Sequence, residues 1–207
     1  MASQEDLQEF KECCMESKAR LHEIARNNNL EVRVTLHWTA GTYKQTFNSY
    51  HVNILGDGST YITEPDFSVS LSHTYYKNTA NIGITMCCGA DMTDKSPGTY
   101  PPTPQQIETM AQLMAIASEV LEIPIDIHHF PSHGEAADNE DYVVYYPEYT
   151  GYPNNAYGPK STFDRWDCLT LWTDESPYSD PFNPAIRGET ILRGKAIWYK
   201  QKFYGHD

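Results

Sequence analysis

The chain has 207 residues, of which 40% are hydrophobic, so it can bury a sizeable core and we interpret it as one domain with insertions. Its formal net charge of −13 argues against nucleic-acid phosphates and anionic membrane surfaces as partners, because both require a basic footprint. It contains no apolar run of bilayer-spanning length and no apolar signal region near its N-terminus. We therefore expect synthesis in the cytoplasm without a signal peptide, and no membrane insertion.

The first predicted elements are a helix and a strand. Apolar residues at helical spacing predict an amphipathic helix over about 4–28, which three consecutive asparagines end. The alternation of β-branched and apolar residues over 32–36 predicts a strand. This strand delivers His37 and Trp38 to its C-terminal end.

Short strands dominate the next part of the chain. Segments 50–55 and 59–62 are predicted to form a hairpin, because the Gly56-Asp57-Gly58 sequence between them is a strong turn signal. A further short apolar strand is predicted over 81–88.

The clearest helix is predicted over about 104–122. Thr103 is a good N-cap, Pro104 suits the first helical position, and Gln106 completes a capping box. Segment 125–127 then resembles a return strand. Because helices alternate with short strands, the predicted class is α/β.

The last third of the chain has weaker patterns. Residues from about 136 to 162 are rich in Tyr, Pro, Asn and Gly without periodicity, which predicts a long loop. The tail, 191–203, is predicted to form one or two terminal strands.

The five cysteines predict free thiols. They form two adjacent pairs and one single residue, and no CxxC spacing occurs: Cys13, Cys14, Cys87, Cys88 and Cys168. Adjacent cysteines rarely bridge each other, so a disulfide framework is disfavoured and a reducing site of synthesis is favoured.

Three residues near the ends of predicted elements are candidate metal ligands: His37, His133 and Asp167. Two imidazoles and one carboxylate, with a fourth position left to water, suit a catalytic zinc site. Their wide separation in sequence also favours a catalytic over a structural site, which usually draws its ligands from close pairs. Asp164 and Cys168 remain alternatives for the third ligand.

Six short segments, in this order, resemble motifs of the type-2 N-acetylmuramoyl-L-alanine amidase family, which includes phage amidase-type lysozymes and peptidoglycan recognition proteins. They are Thr35-Leu36-His37-Trp38-Thr39-Ala40-Gly41; Ser49-Tyr50-His51-Val52 with Gly56-Asp57-Gly58; His73 and Asn78 with Asn81-Ile82-Gly83-Ile84; Thr103-Pro104-Gln105-Gln106; Ser132-His133-Gly134-Glu135-Ala136; and Arg165-Trp166-Asp167. The resemblance covers about 32–170. It implies a central mixed β-sheet flanked by helices.

The expected domain organisation has three parts. They are an N-terminal helix over 1–30, packed on the domain, an amidase domain over 31–172 with the long loop over 136–162, and a C-terminal extension over 173–207. The helix and the extension lie outside the family motifs.

The resemblance assigns roles to site residues. Zn²⁺ is held by His37, His133 and Asp167, and the Tyr50 phenol hydrogen-bonds the zinc water or the developing oxyanion. Arg165 stands where phage and recycling enzymes carry a lysine. A guanidinium there can stabilise oxyanion charge but cannot exchange a proton as lysine does.

Four further residues receive roles from the same motifs. His73, Asn78 and Trp38 are expected on the substrate side. Glu135 either caps a turn or holds a ligand histidine in one tautomer.

The implied activity is zinc-dependent hydrolysis of the N-acetylmuramoyl-L-alanine amide of peptidoglycan, as in a bacteriolytic endolysin. Such an enzyme acts on the cell wall after release, which requires a delivery partner or a membrane lesion. One alternative is a non-catalytic muropeptide recognition module, which typically lacks a metal ligand. Another is a cytosolic enzyme recycling soluble muropeptides, but Thr85 stands where those members carry a glutamate base.

Overall fold

A mixed four-stranded sheet lies at the centre of the computed structural model, which describes residues 1–92, 96, 98–137, 140–141, 167–168 and 187–205. The strands are β1 (Arg33–Trp38), β2 (Val52–Ile54), β3 (Thr60–Ile62) and β4 (Asn81–Met86). Their order is β1-β4-β2-β3, with β4 parallel to both neighbours and β2 antiparallel to β3. The predicted hairpin and the predicted α/β class with a mixed sheet are confirmed.

Strands β1 and β4 are buried at every position. β1 and β4 pair in register from Arg33 opposite Asn81 to Trp38 opposite Met86, and no residue of either strand is exposed. Parallel strands of this kind are normally covered on both faces, which explains why the polar residues that alternate with apolar ones along both strands are buried as well.

The N-terminal helix, α1 (Gln4–Asn27), begins at a capping box in which Ser3 and Asp6 each accept a hydrogen bond from the other's backbone N–H. Its buried stripe includes Phe10, Cys14 and Leu21. The helix predicted over 4–28 is thus confirmed, and it packs on α2.

The second helix, α2 (Pro104–Leu121), begins as predicted, with Thr103 as N-cap and Gln106 completing the capping box. The Gln106 amide nitrogen also donates to the carbonyl oxygens of Ile54 and Cys87, at 3.0 Å each. One side chain therefore caps the helix and ties its first turn to the ends of β2 and β4.

The segment predicted as a return strand, 125–127, is a turn instead. The Asp126 carboxylate accepts hydrogen bonds from the backbone N–H groups of His128 and His129, at 3.0 and 2.9 Å. Such local side-chain bonds offer the backbone an alternative to a sheet ladder.

The chain returns along β1 a few residues later. Val34 N–H donates to the His129 carbonyl at 2.7 Å, and Leu36 N–H donates to the Pro131 carbonyl at 2.9 Å. Leu36 and Ser132 form an isolated parallel bridge. Pro131 has no N–H to donate, so the pairing stays irregular.

The C-terminal strands predicted over 191–203 are wrong, because this segment lies in a helix, here α4 (Gly188–Tyr204). The short helix α3 (His133–Ala137) precedes it in the chain. The aromatic and β-branched residues of this segment also suit strands. The buried residues Leu192, Ala196 and Tyr199 follow a helical period instead, and α4 packs along α2.

Most of the predicted long loop lies outside the described residues, and so does the first part of the C-terminal extension. The predicted boundaries of the amidase domain therefore remain predictions. All five cysteines are free and buried. Among the described helices, none combines the length and the apolar character needed to cross a membrane.

The N-terminal end of α4 is held by buried charges. Arg193 contacts both carboxylate oxygens of Glu135, at 2.8 Å each. Arg187 contacts Glu140 at 2.6 Å and also pairs with Glu189. These ion pairs fasten α4 to the segment that follows His133.

Glu189 is fully buried, and its Oε2 has no hydrogen-bond partner within the described part of the chain. Burial, reinforced by the charge of Glu135, raises the pKa of Glu189 from 4.5 to about 8. A folded-state pKa above the unfolded value means that the folded protein binds the proton more tightly. The stability that this provides is complete below pH 4.5 and is lost as the pH rises towards 8.

We expect Glu189→Gln, which resembles the protonated form of Glu189, to remove the loss of stability that accompanies rising pH. The melting temperature of the variant relative to the native protein should increase steadily from pH 4.5 to 8. Thermal denaturation across that range measures it, with Glu9→Gln on the exposed side of α1 as control. Parallel curves for Glu189→Gln and the native protein would contradict the prediction.

Candidate metal centre

Two histidines meet where β1 lies beside the segment that leads into α3. Because Leu36 and Ser132 form the parallel bridge, the next residues, His37 and His133, are neighbours, and their ring centroids are 4.7 Å apart. His37 is the fifth residue of β1, and His133 is the first of α3. The irregular return of the chain along β1 thus creates the pair.

Asp167 joins the two histidines. Its Oδ2 lies 3.2 Å from His37 Nδ1 and 3.1 Å from His133 Nδ1. One ligand atom from each of the three side chains lies within 4.8 Å of the others, and all three residues are buried. Among the described residues this is the one group of three or more such side chains that could hold a metal.

The spacing and the chemistry of this group fit a zinc ion. Tetrahedral zinc with bonds of about 2.0–2.1 Å has ligand atoms about 3.3 Å apart, close to the distances that join Asp167 to the two imidazoles. Burial raises the pKa of Asp167, but the adjacent His133 and His37 outweigh burial and hold it well below its usual range. The group therefore offers an ionised carboxylate and two imidazole nitrogens.

His73 lies behind His37. Its Nδ1 is 3.1 Å from His37 Nε2, and its Nε2 is 3.2 Å from the Asn81 carbonyl oxygen. A carbonyl only accepts, so His73 Nε2 carries the proton, and its Nδ1 can accept from His37 Nε2–H as well as from the Thr74 hydroxyl, 3.0 Å away. A proton held on His37 Nε2 in this way would make the Nδ1 lone pair available to a metal ion.

Burial, with the nearby His37 next in importance, lowers the pKa of His73 well below its ordinary value, which favours the neutral ring in this chain of hydrogen bonds. Asn78 shapes the same turn, because its Oδ1 accepts from the backbone N–H groups of His73 and Thr74 at 3.1 and 2.7 Å. Trp38 is 4% exposed and belongs to the hydrophobic core. Substrate contacts by His73, Asn78 and Trp38 stay predictions.

Tyr50 lies beside the metal group, with its ring centroid 4.9 Å from that of His37. It is half-buried at the turn before β2. Arg165 and the alternative ligand Asp164 lie outside the described residues. Cys168, the other alternative, is fully buried, and burial raises the pKa of its thiol well above the ordinary value. That environment disfavours the thiolate that zinc would require.

Glu135 caps the turn before α3. Its carboxylate accepts from the Ser132 N–H at 2.9 Å, while its own N–H donates to Ser132 Oγ at 3.0 Å. The described contacts of its carboxylate are with this backbone, with Arg193 of α4 and with Arg187 just before α4. The turn-capping interpretation is therefore the one that the geometry favours.

Sequence reasoning missed the residues that support α3. Besides Arg193, the buried Lys77 Nζ donates to the Ala136 carbonyl at 2.7 Å and to both oxygens of Asp141, at 2.7 and 3.0 Å. Arg33 pairs with the same carboxylate. These contacts join residues far apart in the chain, so no local sequence pattern predicts them.

Comparisons with known proteins bear on this site. The family model of N-acetylmuramoyl-L-alanine amidase, type 2, matches residues 21–142, more than half of the chain. Neither the curated proteins nor the solved structures gave a match. The matched range contains His37 and His133 but ends before Asp167, which the structure brings to them. The chain belongs to the N-acetylmuramoyl-L-alanine amidase family, type 2.

Proposed function

We propose that the protein is a zinc-dependent hydrolase that cuts the amide bond between the muramoyl lactyl group and L-alanine in peptidoglycan. One observation carries the proposal: His37, His133 and Asp167 place three buried ligand atoms within 4.8 Å in a chain of this amidase family. A recognition module that does not cut would have no need of a complete ligand set.

Each ligand would hold the ion in a defined way. A bound zinc ion lowers the pKa of its water to about 7 and polarises the scissile carbonyl. His37 and His133 would bind through Nδ1, and Asp167 would supply the negative charge. His73 keeps the proton of His37 on Nε2, away from the ligand atom.

The reaction also needs a donor for the oxyanion that forms when water attacks the amide carbonyl. We assign this role to the Tyr50 phenol, since its ring packs against His37 and its O–H can donate. Arg165 is a second candidate, on sequence alone. A guanidinium would stabilise the oxyanion by charge and hydrogen bonding, without giving up a proton.

The acidic surface bears on where the enzyme works. A formal net charge of −13 gives no electrostatic attraction to an anionic cell wall. We propose an endolysin-like role on the wall, reached through a delivery partner or a membrane lesion. The alternative is that the same reaction takes place on soluble muropeptides, which requires no adhesion to the cell wall.

The test combines chelation with product analysis. We expect the purified protein to release free L-alanine amino termini from peptidoglycan. This release should stop after a chelator removes the metal and should resume when zinc is added back. The His133→Ala variant should release none under any of these conditions. Muropeptide analysis should find intact glycan strands separated from intact stem peptides.

Two results would overturn the proposal. Release that continues at full rate in the chelated protein would exclude the metal mechanism. Bound zinc and measurable muropeptide binding without any release would identify a recognition module, and the catalytic role of Tyr50 would be abandoned.

A further inference from the structure

The metal centre depends on a very short helix. α3 has five residues and begins with His133. A helix of this length is not stable by itself, because its few internal hydrogen bonds do not offset the cost of nucleation. The bridge between Leu36 and Ser132 places the backbone just before His133, and the rest of α3 must be held by side-chain contacts.

Glu135 makes the first of these contacts. Its side chain is 1% exposed, and its two oxygens face the two terminal nitrogens of Arg193 at 2.8 Å each. Paired contacts of this kind fix direction as well as distance. Arg193 also donates to the Phe130 carbonyl at 3.0 Å, so it joins both sides of the turn that leads into α3.

The opposite end of α3 is held by Lys77, which donates to the Ala136 carbonyl. The two cations, Lys77 and Arg193, lie in different parts of the chain. Lys77 lies within the range matched by the amidase family model, whereas Arg193 lies on α4, beyond its end at residue 142. The family core thus supplies one support of the ligand helix, and the C-terminal extension supplies the other.

We propose that Arg193 is a positioning residue for the metal centre, fixing His133 through Glu135, so that α4 is part of the catalytic unit rather than an appended segment. The inference rests on the proposed metal site. Its physical basis is the narrow tolerance of zinc–nitrogen distances, about 0.2 Å. Without Arg193, the buried Glu135 carboxylate would turn towards solvent and carry the first turn of α3 with it.

The test compares two substitutions on one helix. Arg193→Met removes the contacts with Glu135, while Lys195→Met removes an ion pair with Glu108 that joins α4 to α2. Zinc affinity is measured by competition with a chromogenic chelator, and ligand geometry by the visible spectrum of the cobalt-substituted protein. We expect Arg193→Met to weaken zinc binding about 10–100-fold and to change the cobalt spectrum.

We expect Lys195→Met to leave the zinc affinity and the cobalt spectrum unchanged. Arg193→Lys should be intermediate, because it keeps the charge but loses the paired geometry. Equal zinc affinity and an unchanged spectrum in a folded Arg193→Met protein would overturn the proposal. An equal loss in Lys195→Met would also overturn it, because the effect would then be one of general stability.

Arg193→Met leaves the buried Glu135 carboxylate with the longer contact to Arg187, 3.5 Å, as its remaining described ion pair, and this risks unfolding the protein. If Arg193→Met does not fold, the double variant Glu135→Gln/Arg193→Met is used instead, because it has no unpaired charge. A loss of zinc affinity of about 10–100-fold in the double variant would support the proposal, and native zinc affinity would overturn it. Because these measurements do not use hydrolysis, a native protein that binds zinc but releases no amino termini would overturn the amidase and leave this inference standing.

Discussion

Replacing Asp167 by asparagine should abolish zinc binding and amide hydrolysis together. Asparagine keeps the shape of the side chain but removes the negative charge that faces both His37 and His133. Loss of a residue that only supports a metal ligand lowers metal affinity about 10–100-fold. We therefore expect the loss of a ligand itself to lower zinc affinity at least about 100-fold. Metal content of the purified variant and release of amino termini from peptidoglycan measure the two losses.

Cys168→Ala is the matched control, since Cys168 adjoins Asp167 and was the alternative third ligand. Its thiol is fully buried with a raised pKa, so we expect the variant to keep its zinc and its activity. Its melting temperature should fall, because truncation leaves a small cavity. Loss of zinc in Cys168→Ala with retention in Asp167→Asn would identify the thiol as the ligand instead.

The sequence predicted elements whose signals are local. The capping box formed by Thr103 and Gln106 marks the start of α2, and the glycine-rich turn at 56–58 marks the hairpin. The three candidate ligands were also predicted, since residue type and motif context are local properties. The structure adds that Asp167, outside the family match, lies with the histidines.

The predictions that failed depended on competing local signals or on distant contacts. The tail was predicted as strands, and its aromatic and β-branched residues do suit strands, although the spacing of Leu192, Ala196 and Tyr199 is helical. The contact of α4 with α2 favours the helix over the strand, and the sequence of the segment alone does not reveal that contact. The pairing of Arg193 with Glu135 joins residues 58 positions apart, so sequence spacing gave no indication of it.

The support of His37 by His73 illustrates the same limit. The substrate-side role that the family motifs give to His73 stays a prediction, and the structure adds that its ring lies against a candidate ligand, with both nitrogens close to protein atoms. The contact arises because β1 and β4 are adjacent parallel strands and Asn81, at the start of β4, accepts from His73. Strand order was not readable from the sequence.

Tyr50→Phe should separate catalysis from metal binding. The substitution removes only the hydroxyl, so the ring keeps its packing against His37 and zinc affinity should equal that of the native protein. If the phenol donates to the developing oxyanion, kcat should fall about 10²–10³-fold. KM should change little, because the lost hydrogen bond forms only in the transition state.

Tyr61→Phe is the matched control for this experiment, since Tyr61 lies on β3 with an exposed ring and should give native kinetics. Steady-state hydrolysis of a soluble muropeptide by zinc-loaded proteins measures the difference. A native kcat in Tyr50→Phe would leave the oxyanion to the zinc ion and Arg165. A loss of zinc instead would mean that Tyr50 acts by holding the His37 ring, and its role would change from donor to support.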